Sequence, residues 1–138
     1  MLAAEYEHGP ILIADIATSQ CIPRKFLELI LLELKRYGLL QSKKGKGGGY
    51  FLAKHPASIT LGQVIRYLHG PIALVQCVSQ TAYIKCDDCQ DEATCGLRIV
   101  MKEVRDIMGG ILDGTTLADV IKKVGAKSKT ARNRFALS

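Results

Sequence analysis

Four of the five cysteines lie close together, with the spacing C-x8-C-x2-C-x5-C: Cys77, Cys86, Cys89 and Cys95. Thiolates bind iron and zinc well, and several that converge on one loop can hold a zinc ion or an iron–sulfur cluster. Cys86 and Cys89 offer two ligands within one turn, and Cys95 stands where a long helix is expected to begin. The spacing predicts a metal centre, and it leaves iron–sulfur, zinc and a metal-free dithiol switch open.

The fifth cysteine, Cys21, stands apart in a helical region, and we expect it to be buried as a small apolar side chain. No apolar run approaches the roughly 20 residues that span a bilayer, and no signal peptide is visible. The chain is therefore expected to be cytoplasmic and to have no membrane partner. Structural disulfides are rare in that compartment, so we expect the four clustered thiols to be functional.

Charge is distributed unevenly around the cysteines. Residues 1–76 carry nine basic and five acidic side chains, residues 77–114 carry four and seven, and residues 115–138 carry six and one. Two basic regions thus flank an acidic, cysteine-bearing segment, and the whole chain has a net charge of +6. A basic domain of this kind favours a polyanionic partner such as nucleic acid.

The basic N-terminal half has the pattern of a DNA-reading unit. A short helix over residues 11–20 and a turn precede an amphipathic helix from Pro23 to Tyr37, which Gly38 ends. A strand, a lysine- and glycine-rich tip and a returning strand then form a hairpin. This order predicts a winged helix-turn-helix, in which the second helix enters the major groove and the hairpin approaches phosphates. The residues predicted to contact DNA are Pro23, Arg24, Lys25, Glu28, Lys43, Lys44, Lys46, Gly47, Gly48 and Tyr50.

Three helices are expected beyond the hairpin. Thr60 caps the first, which runs to about His69. The second runs from about Cys95 to Leu112, with apolar residues spaced alternately by four and three as in a coiled coil. Thr116 caps a short last helix. The fold class is therefore mainly α with a small β-hairpin wing, as a winged helix-turn-helix plus a long dimerisation helix.

Several segments together resemble the IscR/NsrR-type (Rrf-two) family of bacterial winged helix-turn-helix repressors. They cover most of the chain and are, in order, Phe26-Leu-Glu28, Leu34-Lys-Arg36-Tyr-Gly38-Leu39, Lys44-Gly-Lys-Gly-Gly-Gly49-Tyr50, Ile59-Thr60-Leu-Gly-Gln-Val-Ile65, Gly70-Pro71, Cys95-Gly-Leu-Arg98 and Thr116-Leu-Ala-Asp119.

The resemblance implies a homodimer built on the long helix, a palindromic DNA operator and a repressor role. In metal-bearing members three cysteines hold an iron–sulfur cluster near the start of the dimer helix. Here Cys89 and Cys95 match the second and third ligands, whereas neither Cys77 nor Cys86 has the usual spacing of the first, so all four are candidates. Other members respond to different signals, often through protein partners, so a partner-controlled regulator stays open beside zinc and the thiol switch.

The resemblance also suggests a division of the chain. It comprises a winged helix-turn-helix DNA-binding domain with a truncated first helix (residues 1–70), a cysteine-bearing loop (71–94), a dimerisation helix with a short C-terminal helix (95–124) and a basic, disordered tail (125–138). An enzyme is not expected, because the three histidines have no carboxylate or nucleophile at useful spacing.

Overall fold

A computed structural model describes the backbone of residues 1–135 and the side chains of residues 1–126. The described chain contains five α-helices and one two-stranded antiparallel hairpin, which confirms the predicted fold class. The elements are α1 (Ile13–Ser19), α2 (Arg24–Arg36), β1 (Leu40–Lys43), β2 (Gly49–Leu52), α3 (Leu61–His69), α4 (Gly96–Asp113) and α5 (Leu117–Phe135), with three short 3-10 helices at Tyr6–His8, Pro56–Ser58 and Gln76–Val78.

One apolar core holds the helix-turn-helix and the hairpin together. Leu27 and Leu31 on α2 are 3 and 2% exposed, because positions four apart lie on the same face of a helix. Gly38 ends α2 with φ 71°, a left-handed conformation that glycine adopts without steric cost. The full set of buried apolar side chains in this core is Ile16, Leu27, Leu31, Leu39, Leu40, Leu52 and Ile59.

The hairpin is docked onto the start of α1 by its second strand. Leu40 pairs with Leu52 and Lys43 with Gly49, while Tyr50 also forms a β-bridge with Ile11. Gly49 allows this approach, since it has φ 146° and a Cβ added there would meet the Ile11 carbonyl oxygen at 2.2 Å. The wing is therefore anchored at its base by the backbone of the helix-turn-helix.

The last two helices are joined to the reading unit by polar contacts. The guanidinium of Arg66 on α3 donates two hydrogen bonds to the Asp113 carboxylate at the end of α4, at 2.6 and 2.8 Å. The pair lowers the pKa of Asp113 and raises that of Arg66. Thr116 caps α5 as expected: the Asp119 amide donates to its hydroxyl, and the Thr116 amide and hydroxyl donate to the Asp119 carboxylate.

Several expectations about local structure were wrong. Residues 1–5 form turns rather than a helix, because a few residues before a Gly-Pro break cannot offset the cost of helix nucleation. Helix α5 runs to Phe135 instead of ending near Val124, so the predicted disordered tail from residue 125 does not hold as far as residue 135. That stretch contains no proline and several alanines, lysines and arginines, so an established helix can propagate. Residues 136–138 of the predicted tail lie outside the described residues.

The predicted environment of Cys21 was also wrong. The side chain is exposed, and the residue has φ 52°, because it forms the turn between α1 and α2 rather than part of a helix. At about 100° per residue, Phe26 and Tyr37 fall at one edge of the apolar arc of helix α2, and they are 59 and 42% exposed.

Candidate nucleic-acid interface and cysteine-lined cavity

The first turn of α2 presents charged side chains to solvent. Pro23 directly precedes the helix, and Arg24 and Lys25 are exposed. The Arg24 Nε atom lies 3.3 Å from Glu28 Oε1, and both side chains are about half exposed or more, so the pair can separate at little cost. All four residues predicted on α2 are thus together at one helix end and accessible to a partner.

The tip of the hairpin carries three exposed lysines, Lys43, Lys44 and Lys46. The tip conformation depends on Gly45 and Gly47, which have φ values of 91° and 72°. We predicted that glycines here let the backbone approach phosphates. In the structure, Gly45 and Gly47 also determine the backbone conformation of the tip. Although its sequence is rich in glycine, the tip forms a defined turn, and its lysines make that turn strongly cationic.

Two other residues predicted on the hairpin lie inside it. Gly48 is buried, its amide donates to the Gly45 carbonyl at 2.9 Å, and a Cβ there would meet the Lys43 carbonyl oxygen at 2.4 Å. Tyr50 is half-buried against the core, and its amide donates to the Ile11 carbonyl. These two residues therefore hold the wing in shape.

Helix α2 and the wing form one continuous surface. The Lys35 ammonium donates to the Ser42 hydroxyl of β1 at 2.7 Å, so the C-terminal half of α2 lies against the first wing strand. The charged helix start and the lysines of the wing tip therefore belong to the same packed unit.

The four clustered cysteines line a single cavity of about 460 Å³ at the start of α4. Leu74, Ile84 and Leu97 contribute apolar walls. Cys95 immediately precedes α4, as predicted, and Cys77 lies in the short helix Gln76–Val78. The chain thus brings all four predicted thiols to one place, although they are spread over nineteen residues of sequence.

The four thiols are not equally close to one another. Partial burial raises the pKa of the Cys89 thiol, and its neighbours Cys95 and Cys86 raise it further. Within the part of the chain that the structure describes, no three histidine, cysteine or carboxylate side chains are grouped closely enough to hold a metal ion. The donor set suits a soft metal in type and number, and a ligand set of three would require the loop to draw together.

Two arginines that the sequence reasoning missed fasten the loop to α4. Arg98 Nε donates to the Cys77 carbonyl at 3.3 Å, and Arg105 Nη1 donates to the carbonyl of Val78. The Arg98 guanidinium also lies 3.6 Å from the Glu92 carboxylate, which accepts a hydrogen bond from Tyr83. Arg98 and Arg105 are seven residues apart, and this spacing places them on one helix face, which the sequence alone could have revealed.

Within residues 1–135, no helix combines the length and apolarity needed to cross a bilayer. The helix-turn-helix and the cationic wing together define a winged helix-turn-helix, an architecture typical of DNA-binding proteins.

Comparison with known proteins identifies the family. The Rrf2 family profile, described as "Iron-dependent Transcriptional regulator", matches residues 1–123. An Rrf2-like HTH-type transcriptional regulator of Rhodobacter capsulatus is 42% identical over 109 residues, which cover 79% of this chain and 73% of the relative. The chain belongs to the Rrf2 family of transcriptional regulators, and it is a DNA-binding regulator rather than an enzyme.

Two solved structures are similar over most of their length. CymR of B. subtilis, titled the global cysteine regulator, has a TM-score of 0.72 and 32% identity, with 88% of this chain and 85% of that chain covered. IscR of T. potens has a TM-score of 0.68 and 30% identity, with 89 and 77% covered. Both likenesses confirm the fold and the regulatory class expected from the sequence.

Proposed function

We propose that the protein is a homodimeric repressor that binds a palindromic operator, with its DNA affinity switched at the cysteine-lined cavity. An iron–sulfur cluster held by cysteines drawn from Cys77, Cys86, Cys89 and Cys95 is the favoured switch. The observation that carries the proposal is the convergence of these four thiols on one cavity at the start of α4. The iron-dependent description of the family supports iron over zinc.

A polar path joins this cavity to the reading unit. Arg98 and Arg105 fasten the loop to α4, and Asp113 at the other end of α4 accepts two hydrogen bonds from Arg66 on α3. A change in the loop that alters the position of α4 would therefore act on α3, which packs against α2. DNA affinity then changes only by the difference in contacts between the two states.

A cluster would supply a group whose oxidation state and integrity respond to redox conditions. The protein's own contribution is to place four thiols around one cavity and to hold Cys89 beside Cys95 at the start of α4. The Arg98–Glu92 ion pair belongs to the same loop, and its two side chains are 30 and 26% exposed. It fixes the chain between Cys89 and Cys95 relative to the helix.

The homodimer is supported by an exposed apolar seam along α4. Leu97, Val100, Ile107 and Ile111 are 52 to 63% exposed, and with half-buried Val104 they recur every three or four residues. The row expected from the sequence was Leu97, Met101, Val104, Met108 and Ile111. It shares three residues with this seam, and its two methionines are half-buried. An unpaired apolar row of this spacing is typical of a helix that packs against a second copy. A twofold dimer fits a twofold operator.

DNA binding is tested by selecting duplexes from a random-sequence pool at low salt and measuring affinity as the salt concentration rises. We expect palindromic sites and a steep loss of affinity with salt, since lysine–phosphate contacts release counterions. Sedimentation should give a dimer. Failure to enrich any duplex would contradict the proposal.

The switch is tested on protein purified anaerobically, by visible absorption and by analysis of iron, acid-labile sulfide and zinc. Iron and sulfide are expected in the wild type and in C21S, and they should be lost in C89S and C95S. A colourless protein without iron would contradict the cluster, and stoichiometric zinc would replace it with the zinc site.

A metal-free dithiol switch is the second candidate, favoured by one observation: four thiols line one cavity, whereas no set of three ligands is grouped among the described residues. A peroxide would take two electrons from the Cys89 and Cys95 thiols, forming the disulfide, and the two thiol protons would leave in the water produced. Iron-free protein that gains a Cys89–Cys95 disulfide under mild peroxide, with altered DNA affinity, would favour this candidate. A regulator controlled by a partner protein would instead bind DNA identically in every metal and thiol state.

A further inference from the structure

Two leucines stand exposed on the outer face of the helix that is proposed to enter DNA. Leu29 is 64% exposed and Leu32 is 54% exposed, although α2 also supplies two of the most buried side chains of the core. Neither leucine was among the residues predicted to contact DNA. An exposed leucine on a short, charged helix either contacts a partner or simply faces solvent. The residues around it indicate which of the two applies.

The leucines form a straight row with two cations, which we name the outer stripe: Lys25, Leu29, Leu32 and Arg36. Their spacing of four, three and four residues keeps them within one narrow sector at about 100° per residue. Leu27 and Leu31 point to the opposite side, where α1, α3 and β1 pack. The outer stripe therefore faces away from the rest of the described chain.

The dimensions of the outer stripe suit a major groove. Lys25 and Arg36 are separated by roughly 16 Å along the helix axis, at about 1.5 Å per residue. The groove is about 12 Å wide, so long cationic side chains at both ends can reach phosphates on its two rims. The leucines are about 4.5 Å apart along the axis and lie between the two cations, over the floor of the groove where base edges are exposed.

The charges around the leucines favour DNA over a protein partner. Arg36 is 76% exposed, with Glu33 at 3.7 Å and the Tyr37 ring centroid at 5.9 Å, and the lysines of the wing tip belong to the same packed unit. A second copy of the chain would bring the same cations against each other, whereas phosphates neutralise them. The apolar seam on α4 already offers a surface for dimerisation.

In the major groove the one apolar group on a base edge is the thymine 5-methyl. We propose that Leu29 and Leu32 are specificity-determining residues that contact thymine methyl groups at neighbouring base pairs of each half-site. The proposal rests on the DNA-binding function proposed above. Arg24, Lys25 and Glu28 then read or position the adjoining bases and phosphates.

The test removes single methyl groups from the DNA. Sites are selected from a random-sequence duplex pool with the full chain, and each thymine of the recovered site is replaced in turn by deoxyuridine, which keeps base pairing. One or two positions per half-site should lose affinity by about fourfold for each methyl removed, the value expected for one buried carbon. Replacing thymines elsewhere in the site should leave the affinity unchanged.

Variants of the leucines complete a double-mutant cycle. L29A/L32A should bind the same site more weakly and should no longer distinguish thymine from deoxyuridine, because the methyl contact is already lost. L29M/L32M should keep the discrimination. Since both leucines are exposed, the variants are expected to fold, and circular dichroism with thermal unfolding checks this. L68A, on α3, is the control and should retain wild-type discrimination.

The outcomes separate this inference from the function on which it rests. If no duplex is recovered, the DNA-binding function fails and the inference falls with it. If a specific site is recovered but deoxyuridine is neutral at every thymine, or L29A/L32A discriminates as well as the wild type, only the inference is overturned. Loss of the dimer in L29A/L32A by sedimentation would also overturn it, since the outer stripe would then be a contact between copies.

Discussion

The reading unit and the cysteine loop are held together by different kinds of interaction. Seven buried apolar side chains fix α1, α2 and the wing, whereas between residues 71 and 95 only Val78 and Ser79 are buried. The loop instead depends on hydrogen bonds from Arg98 and Arg105 to backbone carbonyls. Each such bond contributes on the order of 1–3 kcal/mol, far less than a packed core.

This difference in packing gives the two regions different roles. Segments with few buried apolar contacts open at low free-energy cost, so the loop is the part that can rearrange while the reading unit keeps its shape. Helix α4 belongs to both regions, because its start carries Cys95 and its end carries Asp113, the partner of Arg66.

The first prediction concerns the apolar seam on α4. I107D should leave the reading unit folded but place a charge in the dimer contact, because Ile107 is 63% exposed in the single chain. Loss of the dimer should weaken operator binding by about a hundredfold or more, since two linked half-site contacts become independent. Sedimentation and fluorescence anisotropy measure the two effects.

The matched control is I99D on the same helix. Ile99 is 49% exposed but lies off the seam. It should remain dimeric and bind DNA normally, and equal behaviour of I99D and I107D would contradict the assigned seam.

The second prediction tests the wing. K44Q should weaken operator binding by about tenfold at low salt and make the dependence of log affinity on log salt shallower by about two, one phosphate contact for each protomer. K54Q removes an exposed lysine beyond the hairpin and is the control. An unchanged salt slope in K44Q would remove the wing tip from the DNA interface.

The third prediction concerns the joint between the two regions. The Arg66 guanidinium lowers the pKa of Asp113, so this carboxylate stabilises the fold above its ordinary pKa of about 3.9, and that contribution is lost as the pH falls below it. Because both side chains are partly exposed, D113N should lower the free energy of unfolding by only about 1 kcal/mol at pH 7. Urea unfolding measures this, and the difference from the wild type should shrink as the pH falls through the lowered pKa of Asp113.

The control for this joint is D88N, an exposed carboxylate on the loop. It should not alter stability at pH 7 or as the pH falls. If D113N unfolds like the wild type at pH 7, the pair does not couple α3 to α4.

The smallest predicted effect is at the turn of the helix-turn-helix. Cys21 has φ 52°, a conformation that costs a side-chain-bearing residue about 1–2 kcal/mol and glycine nothing. Glycine also increases the conformational entropy of the unfolded chain, which offsets part of this gain. C21G should therefore stabilise the reading unit by about 0.5–1 kcal/mol. C21S keeps the Cβ atom and should be neutral in thermal unfolding, so equal melting temperatures of C21G and C21S would show that the turn is unstrained.

Local sequence signals predicted much of this architecture. The glycine after α2, the Thr60 and Thr116 caps and the position of Cys95 before α4 were correct, because caps depend on residues a few positions apart. The wing lysines were correctly placed at an exposed tip for the same reason. Short-range sequence signals of this kind can be recognised without knowledge of tertiary contacts.

The errors arose where distant packing decides. On α4, Met101 and Met108 are half-buried whereas Val100 and Ile107 are more than half exposed, and periodicity alone could not distinguish these two equally regular rows. Cys21 was misjudged because cysteine is usually buried, whereas here the path of the chain makes it a turn. The bonds from Arg98 and Arg105 connect segments 21 and 27 residues apart, and only the fold brings these together.

The central claim is that the state of the cysteine-lined cavity sets DNA affinity, and one comparison tests it directly. Operator affinity is measured anaerobically for wild-type protein with its metal and after removal of the metal by a chelator, and again for C89S/C95S. We predict at least a fivefold difference between the two wild-type states and none for the variant, a coupling typical of allosteric proteins. Equal affinity of both wild-type states, or an undiminished difference in C89S/C95S, would contradict the claim.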